Sequence, residues 1–120
     1  MAKILICDDS AFMRMILKKL LTDHGYDVVG EAGDGKQAVQ MYRECKPDLI
    51  TMDITMPKMD GIQAVQLIHE ENPLVRIIMV TALGQKAIIT DAIKAGASDF
   101  IVKPFDPEQV MKTIKKVLKC

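Results

Sequence analysis

Four apolar stretches of this sequence each end in polar side chains that could take part in chemistry. Those side chains are Asp8 with Asp9, Asp53, Thr81 and Lys103. Two like charges about 5 Å apart repel by roughly 3 kcal/mol at an effective dielectric constant of about 20, so clustered carboxylates need a cation, a raised pKa or the Lys103 ammonium group. Oxygen ligands without histidine or cysteine beside them favour a hard ion, and Mg²⁺ fits this set better than Zn²⁺. The residue types therefore predict a magnesium site.

Asp53 is the candidate nucleophile of this set. A carboxylate can accept a phosphoryl group and become an acyl phosphate. Such a transfer requires mainly positioning and charge neutralisation from the protein. Lys103 would supply an ammonium group and Thr81 a hydroxyl group. The pattern therefore indicates phosphorylation of an aspartate.

Each of these residues also has a simpler interpretation. Segment 8–10 is typical of a helix N-cap, and segment 56–61 is typical of a turn. Lys103 could lie in an exposed bend, and Thr81 could be an ordinary hydroxyl group at the end of a strand. Taken singly, the simpler interpretations are favoured, but they do not predict that all these groups follow strands at one edge of a sheet.

The elements that must position these groups can be predicted from the hydrophobic pattern. Apolar runs typical of strands buried on both faces occupy 4–7, 49–52, 77–80 and 100–102, and a weaker, edge-like candidate occupies 27–32. Helical patterns separate the runs, which predicts an α/β fold with a parallel sheet covered on both faces. We expect a flavodoxin-like (βα)5, doubly wound sheet of order 2-1-3-4-5, an order taken from that fold class rather than derived from the residues. In this order strands 1 and 3 are neighbours where the strand order reverses, which is where ligands bind.

Five helices are expected between and after the strands. The first is predicted from apolar residues at helical spacing, which are Met13, Ile16, Leu17, Leu20 and Leu21. The others are predicted at 36–45, 62–71, 85–95 and 107–119. His24 and His69 have no acidic or cysteine partner at ligand spacing, so we expect them to be exposed helix residues.

Length and composition limit the possible classes of function. The 120 residues predict one domain, spanning 1–120. Sixteen basic residues balance sixteen acidic ones, which argues against a nucleic acid or a membrane as partner. The three cysteines are widely spaced, as in a cytoplasmic protein with reduced thiols. The early apolar stretch is too short for a signal peptide, and no membrane span is predicted.

The sequence resembles a response-regulator receiver domain along its whole length. The positions that carry the resemblance are Asp8-Asp9, Asp53, Met56-Pro57, Asp60-Gly61, Thr81-Ala82 and Lys103-Pro104. The length and the segments 10–14 and 99–105 are more similar to single-domain chemotaxis receivers than to transcriptional regulators. The resemblance implies a two-component signalling protein that catalyses only its own phosphorylation and dephosphorylation, not an enzyme with an external product.

The resemblance also implies roles for the acidic residues. Asp53 would accept the phosphoryl group from a phosphohistidine of the chemotaxis histidine kinase CheA. Asp9 and Asp53 would bind Mg²⁺ directly, and Asp8 would act mainly through bound water. Thr55 would offer its backbone carbonyl group to the ion.

A conformational switch is implied as well. Thr81 would move toward the phosphoryl oxygens, and the aromatic ring of Phe100 would enter the space released. The surface formed by helix 4, strand 5 and helix 5 would then bind the flagellar motor switch protein FliM. Phe100 stands where the family more often has tyrosine, so it offers the partner no hydroxyl group. A dedicated phosphatase is a further expected partner, and the chain is expected to be monomeric.

The family pattern suggests three further features. Lys103 would contact the phosphoryl group, and its peptide bond to Pro104 is expected to be cis. Thr55 and Leu83 occupy positions that in the family tune the lifetime of the acyl phosphate, and both differ from the polar residues often found there.

Three alternatives to a free-standing chemotaxis receiver remain open from the sequence. The chain could be the receiver part of a longer transcriptional regulator. A flavodoxin-like electron carrier would need a glycine- and hydroxyl-rich phosphate loop after the first strand, where Asp8 and Asp9 would repel the phosphate of FMN. An enzyme of the haloacid-dehalogenase type would need a second acid two residues after its aspartyl nucleophile, where Thr55 stands.

Overall fold

The computed structural model describes residues 2–82, 86–103 and 106–118. Strands and helices alternate throughout these residues. The strands are β1 (Lys3–Cys7), β2 (Asp27–Ala32), β3 (Leu49–Asp53), β4 (Arg76–Ala82) and β5 (Asp99–Lys103). The helices are α1 (Ala11–Asp23), α2 (Gly35–Cys45), α3 (Gly61–Glu71), α4 (Lys86–Ala95) and α5 (Pro107–Val117).

The five strands form one parallel sheet in the order β2-β1-β3-β4-β5, which confirms the predicted fold class and strand order. Parallel strands are favoured here because the central ones are apolar on both faces. In the register, Cys7 of β1 lies opposite Met52 of β3. The residues that follow β1 and end β3 therefore meet at the reversal of strand order.

Alternate residues of the strands build a core on each face of the sheet. One core joins Leu5, Ile50, Met52, Ile77 and Met79 to apolar residues of α2, α3 and α4. The other joins Ile4, Ile6, Leu49, Ile78 and Ile101 to apolar residues of α1 and α5. Each buried aliphatic side chain of this size stabilises the fold by about 1.5–3 kcal/mol. Packing on both faces holds the strand ends, and the polar groups on them, in fixed positions.

Polar side chains cap the N-termini of four of the described helices. The side chains of Ser10, Asp34, Asp60 and Asp106 each accept a hydrogen bond from a backbone N–H group in the first turn of α1, α2, α3 and α5, respectively. These caps satisfy N–H groups that a helix leaves without an internal partner. The interpretation of segment 8–10 as an N-cap is therefore correct for Ser10, and it does not conflict with a functional role for the two acids before it.

Helix α1 differs in part from the prediction. Leu17 and Leu21 are buried, as expected, but Ile16 is 37% exposed. Neighbouring residues of a helix point about 100° apart, so a helix that directs Leu17 at the sheet turns Ile16 toward its flank. Phe12 and Met15 on the same helix are also exposed.

The expectation that His69 is exposed is wrong. Its ring is half-buried and lies against Gly96, so closely that a Cβ atom at position 96 would overlap it. Gly96 has φ +127°, a conformation that favours glycine. His24 ends α1 and is exposed, as predicted.

The helices within the described residues are all too short or too polar to cross a membrane.

Thr51 in the middle of β3 gives a first test of the packing. Its hydroxyl group is buried and has no hydrogen-bond partner among the described residues, and its register neighbours are Ile6 and Ile78. Thr51→Val should therefore raise the free energy of unfolding by about 1 kcal/mol, because it removes a polar group whose desolvation is not compensated. Urea denaturation measures this change. Thr113→Val is the control: that hydroxyl group is also buried but donates to the Gln109 carbonyl oxygen at 2.9 Å, so this variant should gain no stability.

Candidate functional site at the carboxyl edge of the sheet

Three carboxylates meet at the carboxyl ends of β1 and β3. Asp8 and Asp9 follow β1, and Asp53 is the last residue of β3. One carboxylate oxygen atom of each aspartate lies within 4.8 Å of an oxygen atom of each of the other two. Asp8 and Asp53 are buried and Asp9 is exposed. The structure thus brings together the acids that the sequence singles out and leaves one side of the cluster open to solvent.

Lys103 reaches the same cluster from β5. Its Nζ atom lies 3.1 Å from Asp8 Oδ2 and 3.2 Å from Asp53 Oδ2. Strand β4 lies between β3 and β5 in the sheet, so the lysine side chain extends across the end of β4 to make these contacts. Lys103 therefore does not lie in an exposed bend, because its side chain is only 25% exposed and pairs with two aspartates.

Burial and charge shift the pKa values of Asp53 and Lys103. Burial raises the pKa of Asp53 and the nearby Asp8 charge raises it further, while the Lys103 ammonium opposes both. Burial alone would lower the pKa of Lys103, but its contacts with Asp8 and Asp53 outweigh that effect and raise it. The cluster thus holds more negative charge than one ammonium group neutralises, which favours a further cation.

The surroundings of Asp8 test whether a divalent ion fits. Its Oδ1 atom accepts a hydrogen bond from Ser10 N–H at 2.9 Å. Its Oδ2 atom is buried and, apart from the ion-pair contact with Lys103, has no hydrogen-bond partner among the described residues. A donor set made only of oxygen atoms, in which three carboxylates share one ammonium group, suits a hard cation. The described residues therefore fit a metal such as Mg²⁺.

The other predicted site residues lie around this cluster. Thr81 is buried in β4, next to Val80, which is the register partner of Asp53. Thr55 is exposed in the loop after β3. Phe100 lies in β5, opposite Met79, and is 39% exposed. The predictions about Leu83 and about the peptide bond before Pro104 fall on positions outside the described residues.

Two residues near the site were missed from the sequence. Gly61 packs so closely beneath Asp53 that a Cβ atom at position 61 would overlap the Asp53 carbonyl group. Arg14 of α1 donates from Nη1 to the Asp8 carbonyl oxygen at 2.6 Å. Neither contact has a sequence signal of its own, because each depends on how closely two elements approach. The Asp60-Gly61 pair suggested a turn and contributed to the family resemblance, but it did not indicate this contact.

The fold and the site define a class of protein. A response regulator receiver domain family matches residues 4–115, and the chain belongs to that family. This family differs from the flavodoxin-like electron carriers and dehalogenases that the sequence left open.

Relatives narrow the class further. The chain is 54% identical over 117 residues to the chemotaxis protein CheY of Thermotoga maritima, covering 98% of both chains. It is 54% identical over 116 residues to CheY of Bacillus subtilis, covering 97% of both. Among solved structures, the CheX–CheY–BeF3–Mg²⁺ complex from Borrelia burgdorferi matches with a TM-score of 0.95 and 38% identity, over 99% of this chain and 90% of that one. The chain is thus a CheY-like response regulator receiver domain of chemotaxis two-component signalling.

Proposed function

We propose that this protein is a switch controlled by phosphorylation of Asp53. In the proposed reaction a carboxylate oxygen of Asp53 forms a bond to phosphorus, and the bond between phosphorus and a histidine nitrogen of the kinase CheA breaks. The observation that carries the proposal is the convergence of Asp8, Asp9 and Asp53 with the Lys103 ammonium group where the strand order reverses.

The cofactor of the proposed reaction is Mg²⁺. Asp9 and Asp53 would hold it directly, Asp8 through water, and Thr55 through its carbonyl group. When bound, the ion would neutralise charge on the phosphoryl oxygens. The all-oxygen donor set and the excess negative charge of the cluster support this assignment. The solved CheX–CheY–BeF3–Mg²⁺ complex of a relative supports it independently.

The chain's own residues would do the rest of the work. The Asp53 carboxylate is held at the end of a central strand, so that its oxygen can approach a donor from the solvent side where Asp9 is exposed. The Lys103 Nζ atom, already 3.2 Å from Asp53 Oδ2, would hold the transferred group. The Thr81 hydroxyl group would bind a phosphoryl oxygen. In the proposed dephosphorylation, water would attack the phosphorus atom and the bond from phosphorus to the Asp53 oxygen would break. This step would release inorganic phosphate and restore the carboxylate, so that the protein catalyses its own dephosphorylation.

The output of the switch is proposed to be the surface of α4, β5 and α5. The phosphoryl group adds a charge of about −1.5 to −2, which can bias two packing arrangements that differ by a few kcal/mol. Phe100 lines a groove of about 840 Å³ between β5 and α5, and Lys112 and Lys116 line it from α5. Displacement of Thr81 and Phe100 would reshape this groove and raise its affinity for the flagellar motor switch protein FliM.

The remaining partners and the setting are part of the same proposal. CheA would be the phosphodonor, FliM the target, and a dedicated phosphatase would end the signal. The protein would act in the cytoplasm as a monomeric receiver domain spanning 1–120, with no nucleic acid or membrane partner. The CheY relatives of similar length support this grouping.

Intact mass spectrometry with acetyl phosphate tests the proposed function. With Mg²⁺ present, the protein should gain the mass of one phosphoryl group, and digestion should locate that group on Asp53. With EDTA in place of Mg²⁺, the gain should fall to background, because the negative cluster then repels the anionic donor. A gain of equal size in EDTA, or a phosphoryl group on any other residue, would contradict the proposal.

A further inference from the structure

Arg14 of α1 reaches back over the turn that carries the acid pair. Its Nη1 atom donates a 2.6 Å hydrogen bond to the carbonyl oxygen of Asp8. That oxygen belongs to the peptide bond between Asp8 and Asp9. The guanidinium group thus holds the peptide group that links two proposed metal ligands.

The arginine is itself held by an acid on the edge strand. Its Nε atom donates to Glu31 Oε1 at 3.2 Å, and the Lys18 Nζ atom lies 3.6 Å from Glu31 Oε2. Glu31 lies in β2 opposite Ile6 of β1. The Arg14 side chain is only 21% exposed. A planar guanidinium group fixed at two of its edges has little freedom to rotate, so its contact with Asp8 is a directed one.

The two acids of the turn are not held equally. Asp8 is fixed by its N–H group, which donates to the Ala32 carbonyl oxygen at 3.0 Å, and by its side chain, which accepts from Ser10 N–H. The Asp9 carboxylate is exposed, and within residues 2–82, 86–103 and 106–118 it forms no hydrogen bond or ion pair. The direction of the Asp9 side chain therefore depends on the backbone before it, and the Asp8–Asp9 peptide group is the part of that backbone that Arg14 contacts.

We propose that Arg14 is a positioning residue that orients Asp9 toward the metal site, an inference that rests on the proposed function. Glu31 pairs with the Nε atom of Arg14 and leaves the Nη1 atom to contact the Asp8 carbonyl group, so the arginine is held between the edge strand and the turn. Lysine at position 14 has a single ammonium group and would keep the carbonyl contact or the Glu31 contact, but not both in the same geometry.

Calorimetric titration with Mg²⁺ tests this role in the metal-free protein. Arg14→Met should raise the Kd for Mg²⁺ roughly tenfold, as is typical when a group that orients a metal ligand is removed. The Kd of Arg14→Lys for Mg²⁺ should lie between those of Arg14→Met and the native protein. At saturating Mg²⁺, the rate of phosphorylation by acetyl phosphate should return close to the native rate, because the ligands themselves are intact.

Arg43→Met is the matched control, because Arg43 also forms an arginine–glutamate pair, with Glu71 at 2.7 Å, but contacts no site residue. Its Kd for Mg²⁺ should stay within about twofold of the native value. Should Arg14→Met fail to fold, Glu31→Gln takes its place; it keeps the arginine, removes its anchor, and should raise the Kd by a smaller factor.

The Asp9→Asn variant separates failure of this inference from failure of the proposed function. Loss of Mg²⁺ affinity in Asp9→Asn together with native affinity in Arg14→Met would overturn the role of Arg14 and leave the metal site intact. Native affinity in Asp9→Asn would overturn the metal site, and the role of Arg14 with it.

Discussion

Asp53→Asn should abolish the gain of a phosphoryl group from acetyl phosphate and Mg²⁺, reducing it to the background of the intact mass measurement. Asparagine keeps the size of the side chain but lacks the anionic oxygen that attacks phosphorus. This is the largest effect that we expect from a single substitution on activity. Asp27→Asn is the control, because Asp27 is an exposed aspartate at the start of β2, at the opposite edge of the sheet. The Asp27→Asn protein should gain a phosphoryl group as the native protein does.

The same variant carries an expectation about stability and pH. Burial and the charge of Asp8 raise the pKa of Asp53 in the folded protein. A raised folded pKa means that the contribution of this group to stability is complete below its ordinary pKa and is lost as the pH rises through the folded value. Without Mg²⁺, Asp53→Asn should therefore be more stable than the native protein at pH 7, and the difference should shrink as the pH is lowered. Thermal melting of both proteins at pH 7 and at lower pH measures this difference in stability. If Asp53→Asn were less stable than the native protein at pH 7, burial and the Asp8 charge would not destabilise the Asp53 carboxylate.

Gly61→Ala should lower the free energy of unfolding by about 3 kcal/mol, the upper part of the range for overpacking a close contact. Gly61 is the buried first residue of α3, and its N–H group donates to the Ile54 carbonyl oxygen at 2.8 Å. A methyl group there would overlap the backbone carbonyl of Asp53, which cannot turn aside as a flexible side chain could. The displacement of Asp53 should also slow phosphorylation. Urea denaturation measures the first effect, and the rate of mass gain measures the second.

Gly33→Ala is the matched control for Gly61→Ala. A Cβ atom at Gly33 would lie 3.5 Å from Arg14 Nη1 and 3.6 Å from Gln37 Oε1, which are ordinary contact distances. We expect this variant to change the free energy of unfolding by less than about 0.5 kcal/mol. If the two glycine variants lowered the free energy of unfolding equally, the loss in Gly61→Ala would not come from the close contact beneath Asp53.

The parts of the fold that depend on local patterns were predictable from the sequence. Apolar runs ending in Asp8 and Asp53 marked β1 and β3, and apolar residues at helical spacing marked α1. The strand order came from the fold class, because hydrophobic runs alone do not say which strands are neighbours. Once that order is assumed, the convergence of the acids with Lys103 follows from the geometry of parallel strands.

The parts that depend on close approach between elements were not predictable. Ile16 has the same helical spacing as the buried leucines of α1, and only the placement of that helix on the sheet decides that it is exposed. The half-buried state of His69 depends on the backbone of Gly96, which lies in the turn after α4. The hydrogen bond from Arg14 likewise depends on the distance between a helix and the turn that precedes it.

The Lys103 ammonium group lies between Asp8 and Asp53 and neutralises part of their charge. Under the proposed function, the protein can therefore stay folded before a divalent ion binds, because each of the two buried carboxylates already has a positively charged neighbour.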